Sequence, residues 1–330
     1  MIRVAINGFG RIGRVFTRAI QNHPNIELIA INDLADTKTL AHLLKYDSVH
    51  RKFDGNISTI GNDLVINQKT IKIFTERDPG NLPWAALNID VVIESTGLFR
   101  TKESAGKHIT AGAKKVIISA PAKDDDIKTI VLGVNENDID GTEEILSNAS
   151  CTTNAAAPLI KVLNELCSVE NAFLTTIHSY TNDQGLHDAP HSDLRRGRAG
   201  AQSIVPTSTG AATAITKIFP EMMGKVEGYA VRVPVADGSL IDISAAVKKS
   251  VTKQEINAAF KKAAETNLKG ILEYTNEPLV SVDIIGNPHS CIFDSDLTMV
   301  FEKVVKVVGW YDNEAGYSHR IVDLIEYLNK

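Results

Sequence analysis

Cys151 stands in the run Ser147-Asn148-Ala149-Ser150-Cys151-Thr152-Thr153-Asn154, directly ahead of three alanines and a stretch of helical character over 159–166. The setting predicts a sulfur at a helix N-terminus, where exposed N–H groups carry partial positive charge and favour a thiolate. The same groups can hold the oxyanion that forms when a thiolate attacks a carbonyl. A cysteine alone reads as an inert buried side chain, so the weight falls on what accompanies it. His178 ends the strand-like stretch 172–178 and offers a base; without Cys151 it would read as a satisfied core histidine. Arg195, Arg196 and Arg198 lie in a polar loop over 182–198, close in sequence to the helix start Thr207-Ser208-Thr209-Gly210-Ala211-Ala212. Guanidinium, hydroxyls and free N–H groups are what a phosphate dianion needs, with Arg195 the first choice among the three arginines. Cys167 and Cys291 have no such company and read as structural.

A second constellation opens the chain. The β-branched run 2–6 leads into Asn7-Gly8-Phe9-Gly10-Arg11-Ile12-Gly13-Arg14 and then into helical spacing over 15–20. In this G-x-G-x-x-G turn Gly8 permits the tight bend, Gly10 lets the backbone approach a pyrophosphate, and Gly13 lets helix pack on strand. The next strand, 26–31, ends in Asn32-Asp33, which places a carboxylate where a dinucleotide ribose is bound. Strand 90–94 ends in Ser95-Thr96-Gly97, and strand 115–118 ends before Ser119; ligands collect at such carboxyl ends.

Positioning these groups takes two domains. The 330 residues, 43% hydrophobic and 23% charged, suffice for two cores. The first, 1–149, reads as an α/β Rossmann dinucleotide-binding domain with a small antiparallel insertion over 53–74. Alternating strands and helices continue to a strand over 129–134. The second, 150–313, reads as an α+β catalytic domain on a largely antiparallel sheet, with strands at 226–234, 239–248 and 304–311 and a helix at 253–267. A final helix, 314–330, capped from Asp312-Asn313-Glu314, completes the first domain with the apolar stripe Ile321, Leu324, Ile325 and Leu328. Net charge is −5 without a basic block, so neither nucleic acid nor an anionic membrane is an expected partner. Three unpaired cysteines argue against a metal site or disulfides, and the absence of a leader or long apolar run points to the cytoplasm.

Over its whole length the sequence resembles the phosphorylating glyceraldehyde-3-phosphate dehydrogenases. The motifs that carry this are residues 7–14, 31–34, 147–154, 193–198, 206–212, 232–234 and 310–317. The resemblance implies Cys151 as nucleophile and His178 as its base. It implies NAD contacts from Gly8, Gly10, Arg11, Ile12, Gly13, Asp33, Arg77, Ser119 and Asn313, the last on the nicotinamide amide. Thr181 and Arg232 match the site for the substrate's phosphate; Ser150, Thr152, Arg195, Thr209 and Gly210 match that for inorganic phosphate. It further implies a homotetramer. Two other activities share much of this pattern: erythrose-4-phosphate oxidation, and a catalytically idle NAD-binding redox sensor built on Cys151. Ala155, Ala315 and Arg51 stand where the family often has cysteine, tryptophan and glycine.

Overall fold

The computed structural model describes residues 1–330, which divide into two compact units: Met1–Ile130 with Asn137–Ala149 and Ser318–Lys330, and Val131–Glu136 with Ser150–Tyr317.

The first unit runs β1 (Ile2–Asn7), α1 (Arg11–Ala19), β2 (Ile26–Asn32), α2 (Thr37–Lys45), the short ribbon β3 (Tyr46–Asp47) and β4 (Arg51–Lys52), β5 (Ile57–Ile60), β6 (Asp63–Ile66) and β7 (Lys69–Phe74). It continues with β8 (Val91–Glu94), α3 (Lys102–Thr110), β9 (Lys115–Ile118) and β10 (Ile145–Ser147). These strands form one sheet, ordered β10-β9-β8-β1-β2-β7-β6-β5, apart from the β3–β4 ribbon. From β10 to β7 it is parallel, and its central strands are apolar on both faces: Val91, Val92 and Ile93 are fully buried. The expected insertion is present, but its last strand pairs in parallel with β2, so it widens the main sheet. Local chemistry sets the helix starts. Asp36 accepts the Thr39 N–H, and Thr101 and Ser104 form a reciprocal cap. Arg51 has φ +66°, the left-handed region that favours glycine.

The expected strand over 129–134 does not form. Thr129 makes a single bridge to Ser147, and the chain then passes to the second unit. There Gly133 accepts Lys161 Nζ at 2.8 Å and is pressed by Ile271, to which a Cβ would come within 2.7 Å.

The second unit comprises α4 (Cys151–Cys167), β11 (Val169–Ser179), β12 (Val205–Ser208), α5 (Ala211–Ile218), β13 (Val226–Val233), β14 (Ser239–Val247), α6 (Lys253–Glu265), β15 (Leu272–Thr275), β16 (Cys291–Phe301), β17 (Val304–Tyr311) and the start of α7 (Ala315–Tyr327). Its seven strands are ordered β12-β13-β11-β14-β17-β16-β15, with only β11–β13 and β15–β16 parallel. Along β14 burial alternates, and Ile241, Ile243, Ala245 and Val247 face a layer of α4, α5 and α6. Burying each of the larger side chains stabilises by about 1.5–3 kcal/mol. The opposite face keeps Phe173, Tyr229, Met299, Phe301 and Val304 exposed.

The last helix departs from expectation at its start. Only Ser318 onward belongs to the first unit, whereas Glu314 to Tyr317 stay with the second. Asp312 Oδ1 accepts the N–H groups of Glu314 and Ala315, and Gly316 lies so close to the His289 carbonyl that a Cβ would stand 2.3 Å away.

Candidate active site

Ser150 caps α4 through its hydroxyl, which accepts the Thr153 N–H at 3.0 Å, so Cys151 opens the helix as expected. Its Sγ lies 3.5 Å from Nε2 of His178, near the end of β11. Nδ1 of that ring is 2.7 Å from the Ser179 carbonyl, which can only accept. Nδ1 also lies 3.1 Å from Arg232 Nη1, which can only donate; the shorter contact to the carbonyl favours the proton on Nδ1, with the bare Nε2 facing the sulfur. The parallel register of β11 with β13 sets Arg232 directly opposite His178. Arg232 Nη1 donates to the Ser179 carbonyl at 3.1 Å and to Thr181 Oγ1 at 3.3 Å, gathering His178, Thr181 and Arg232 at one place.

Taken singly, each member of the Cys–His pair is shifted toward its neutral form. Burial pushes the Cys151 thiol up, opposed by the charge of Arg232 and by Thr152. Burial, then Arg232, then Arg196 push His178 down to about 3, against the Ser179 carbonyl. Passing one proton from Sγ to Nε2 creates two charges 3.5 Å apart. Their attraction, about 5 kcal/mol at an effective dielectric of 20, works with the helix N-terminus for the charged form. His178 is placed to take the proton as the sulfur attacks. Burial pushes Cys167 up to about 11 and Cys291 higher still, which leaves both thiols inert.

Asn313 is buried, and its Oδ1 accepts hydroxyls from Ser179 at 2.9 Å and Ser239 at 2.7 Å. That fixes the amide orientation and leaves its NH₂ as the donor for a ligand. Thr152 shares its hydroxyl with Tyr311 at 3.0 Å, and Tyr311 continues to Thr176 at 2.7 Å. Thr176 in turn donates to the Leu240 carbonyl, and the buried Tyr311 ring packs edge-on against His178. In the sequence Tyr311 is marked only by its place within the motif 310–317, directly before Asp312. Thr209 Oγ1 accepts the Ala211 N–H, and Gly210 begins α5 without a side-chain cap, leaving N–H groups for an anion.

Arg195 and Arg196 are placed differently. The Arg195 side chain is exposed and lines an open surface cavity with Leu194 and Tyr229. Arg196 instead is held by Thr207 Oγ1 at 2.9 Å, the Ser208 carbonyl at 3.2 Å and Asp183 at 2.7 Å, and its charge reaches both His178 and Arg232. Asp193 accepts both arginines' backbone N–H groups, and this turn sends neighbouring side chains to different places.

In the first unit, strand register lines up the other candidates. Asn32 pairs with Asn7, Asn7 with Glu94, and Glu94 with Ile118, so the next residues, Asp33, Gly8, Ser95 and Ser119, form a row across the carboxyl edge. The row straddles β1, where the strand order reverses. Gly8 has φ +93°, and a Cβ there would stand 2.7 Å from Thr96 N; at Gly13 it would stand 2.6 Å from the Gly8 carbonyl. At Gly10 a Cβ would meet nothing within 4 Å, which leaves an open cradle at the N-terminus of α1. Asp33 accepts the N–H groups of Phe9 at 2.7 Å and Ala35 at 2.9 Å, one on each oxygen, with lone pairs left for ribose hydroxyls. Arg11 pairs with Asp47 at 2.6 Å, Ile12 is partly buried beside it on α1, and Arg77 is exposed after β7. These residues fit an NAD molecule: an anion cradle left open at Gly10 and an oriented carboxylate at Asp33.

No helix is long and apolar enough to cross a membrane. The family signature described as glyceraldehyde 3-phosphate dehydrogenase, NAD binding domain, matches residues 2–102, and that described as its C-terminal domain matches residues 150–313. The chain is 56% identical over 329 residues to glyceraldehyde-3-phosphate dehydrogenase of Geobacillus stearothermophilus, covering 99% of this chain and 98% of the relative. It is 54% identical over 331 residues to glyceraldehyde-3-phosphate dehydrogenase 1 of Bacillus subtilis (strain 168), covering 100% and 98%. Likeness of this extent spans both units, the glycine-rich turn and the Cys–His pair together, and the chain belongs to the glyceraldehyde-3-phosphate dehydrogenase family.

Proposed function

We propose that this protein oxidises glyceraldehyde 3-phosphate to 1,3-bisphosphoglycerate, consuming inorganic phosphate and reducing NAD. The observation that carries the reading is the Cys151 sulfur at the N-terminus of α4, 3.5 Å from the unprotonated nitrogen of His178, with Arg232 alongside. The thiol gives its proton to Nε2 as sulfur adds to the aldehyde carbon, and the proton passes to the new hydroxyl of a hemithioacetal. His178 takes it back as hydride departs, which leaves a thioester on Cys151. Bound NAD supplies the hydride acceptor. Phosphate oxygen then attacks the thioester carbon, and the sulfur leaves as thiolate. N–H groups at the start of α4 are placed to hold the oxyanion of both additions.

Thr181 and Arg232 hold the substrate's own phosphate in this reading, and the start of α5 with Thr209, Gly210 and Arg196 holds the incoming phosphate. Asn313 orients the nicotinamide amide. The exposed apolar face of the second unit's sheet, from Phe173 and Tyr229 to Met299, Phe301 and Val304, supports burial against further copies of the chain, as a homotetramer. The same reading places the enzyme in the cytoplasm, working in glycolysis or its reversal.

The test is NADH formation from glyceraldehyde 3-phosphate with and without added phosphate. A strict phosphate requirement is expected, and Cys151→Ser abolishes turnover while NAD binding persists. Phosphate-independent turnover of erythrose 4-phosphate, or no turnover of either aldehyde, would reject the proposal.

A further inference from the structure

Beneath the row of strand ends lies a polar network that the reaction does not use. Glu94, the last residue of β8, is 1% exposed, and His108 of α3 is 0% exposed. Trp84 Nε1–H donates to His108 Nδ1 at 3.0 Å, and His108 Nε2 lies 3.1 Å from Glu94 Oε2. An indole can only donate, so Nδ1 is bare and Nε2 carries the ring's proton. Oε2 also accepts from Asn7 Nδ2 at 2.6 Å, while Oε1 accepts the Thr96 N–H at 2.9 Å and the Thr96 hydroxyl. Each of these groups donates. A side chain that only accepts closes the set, so the two Glu94 oxygens are held by four donors, His108 Nε2–H among them.

We infer that Glu94 is a positioning residue for the dinucleotide site: through Thr96 and Asn7 it fixes the two turns that shape the pyrophosphate cradle. Thr96 sits against Gly8, where a Cβ would stand 2.7 Å from its nitrogen, and the neighbouring Ser95 hydroxyl donates to the Gly8 carbonyl at 2.7 Å. On the other side Asn7 Oδ1 accepts Asn32 Nδ2 at 2.7 Å, and Asn32 Oδ1 accepts the Glu76 N–H at 2.8 Å. One carboxylate thereby connects the turn after β8, the glycine-rich turn after β1, and the turn after β7 that carries Arg77. Trp84 and His108 hold that carboxylate from below. The inference rests on the reading of this unit as an NAD site.

Glu94→Gln tests it in the full chain, because the amide NH₂ meets a donor whichever way the side chain turns. NAD binding by calorimetry is expected to weaken at least tenfold. At saturating NAD, kcat is expected to stay within threefold of wild type, and alkylation of Cys151 in the NAD-free protein to be unchanged. Thr96→Val removes the hydroxyl contact alone and should weaken NAD at least threefold. The double variant should lose less than the product of the two single effects, as coupled groups do. An NAD affinity for Glu94→Gln within twofold of wild type, or effects that multiply in the double variant, would overturn the inference. Should Glu94→Gln fail to fold, Thr96→Val decides, with unchanged affinity counting against the inference. Wild-type protein that binds no NAD would overturn the NAD reading itself and this inference with it.

Discussion

Replacing the three glycines of the first turn one at a time should separate binding from folding. At Gly10 the backbone is extended, φ −70° and ψ −156°, and an added Cβ meets no protein atom within 4 Å. Gly10→Ala should leave stability unchanged or raise it by about 0.4–1 kcal/mol, through the lower entropy of the unfolded chain. The methyl group would occupy the approach to the N-terminus of α1, where a pyrophosphate must come close to the backbone. Losing one charge-assisted contact there costs about 1.5–3 kcal/mol, roughly 10- to 150-fold in NAD affinity. Gly13→Ala places a Cβ 2.6 Å from the Gly8 carbonyl and 3.1 Å from Ile6, an overpacking that costs about 1–3 kcal/mol of stability. Gly8→Ala adds left-handed strain of about 1–2 kcal/mol to contacts under 3.0 Å with Ser95 and Thr96. Urea unfolding and NAD calorimetry on the three variants give the pattern. If Gly10→Ala bound NAD within threefold of wild type, the cradle would not be where the cofactor's phosphates sit.

Arg232→Ala should weaken glyceraldehyde 3-phosphate by about 1.5–3 kcal/mol in kcat/KM and unphosphorylated glyceraldehyde much less, since only the former brings a dianion; equal losses would reject Arg232 as the phosphate contact. Arg196→Ala should raise the KM for inorganic phosphate severalfold and Arg195→Ala should not, with the reverse order restoring Arg195. Acid unfolding should report on Asp47. Burial pushes its carboxyl up, but Arg11 and the N–H groups of His50 and Val49 outweigh that and bring it from 3.8 down to about 2. Because the folded value lies below the unfolded one, the contribution, about 2 kcal/mol, is complete above roughly pH 4 and fades toward pH 2. Asp47→Asn should flatten that part of the stability profile, and an unchanged slope would refute the assignment.

Cys151 at the start of a helix, the glycine-rich turn, and the caps at Asp36 and Thr101 were legible because each depends on residues within a few positions of one another. A short side chain meets an orphan N–H, or a missing Cβ frees a turn, whatever the rest of the chain does. Asp33 was legible for a related reason, as the residue that ends the second strand. No local pattern singles out Thr181, Arg232 or Asn313, which only the resemblance to a known family names. The direction of Arg196 was not legible because adjacent residues of an irregular loop have no period from which to read one, and only its bonds to Thr207, Ser208 and Asp183 reveal its place. The strand expected at 129–134 failed because Gly133 is claimed by Lys161, Leu268 and Ile271, partners remote in sequence. Local sequence sufficed for the helix starts, the caps and the glycine-rich turn, because each is complete within a few residues. The tertiary structure alone decided which residues meet: His178 against Arg232, Asp33 in line with Gly8 and Ser119, Glu94 closed in by four donors. Those placements follow from strand register, and register is set by burial summed over whole sheets, which no short stretch of sequence contains.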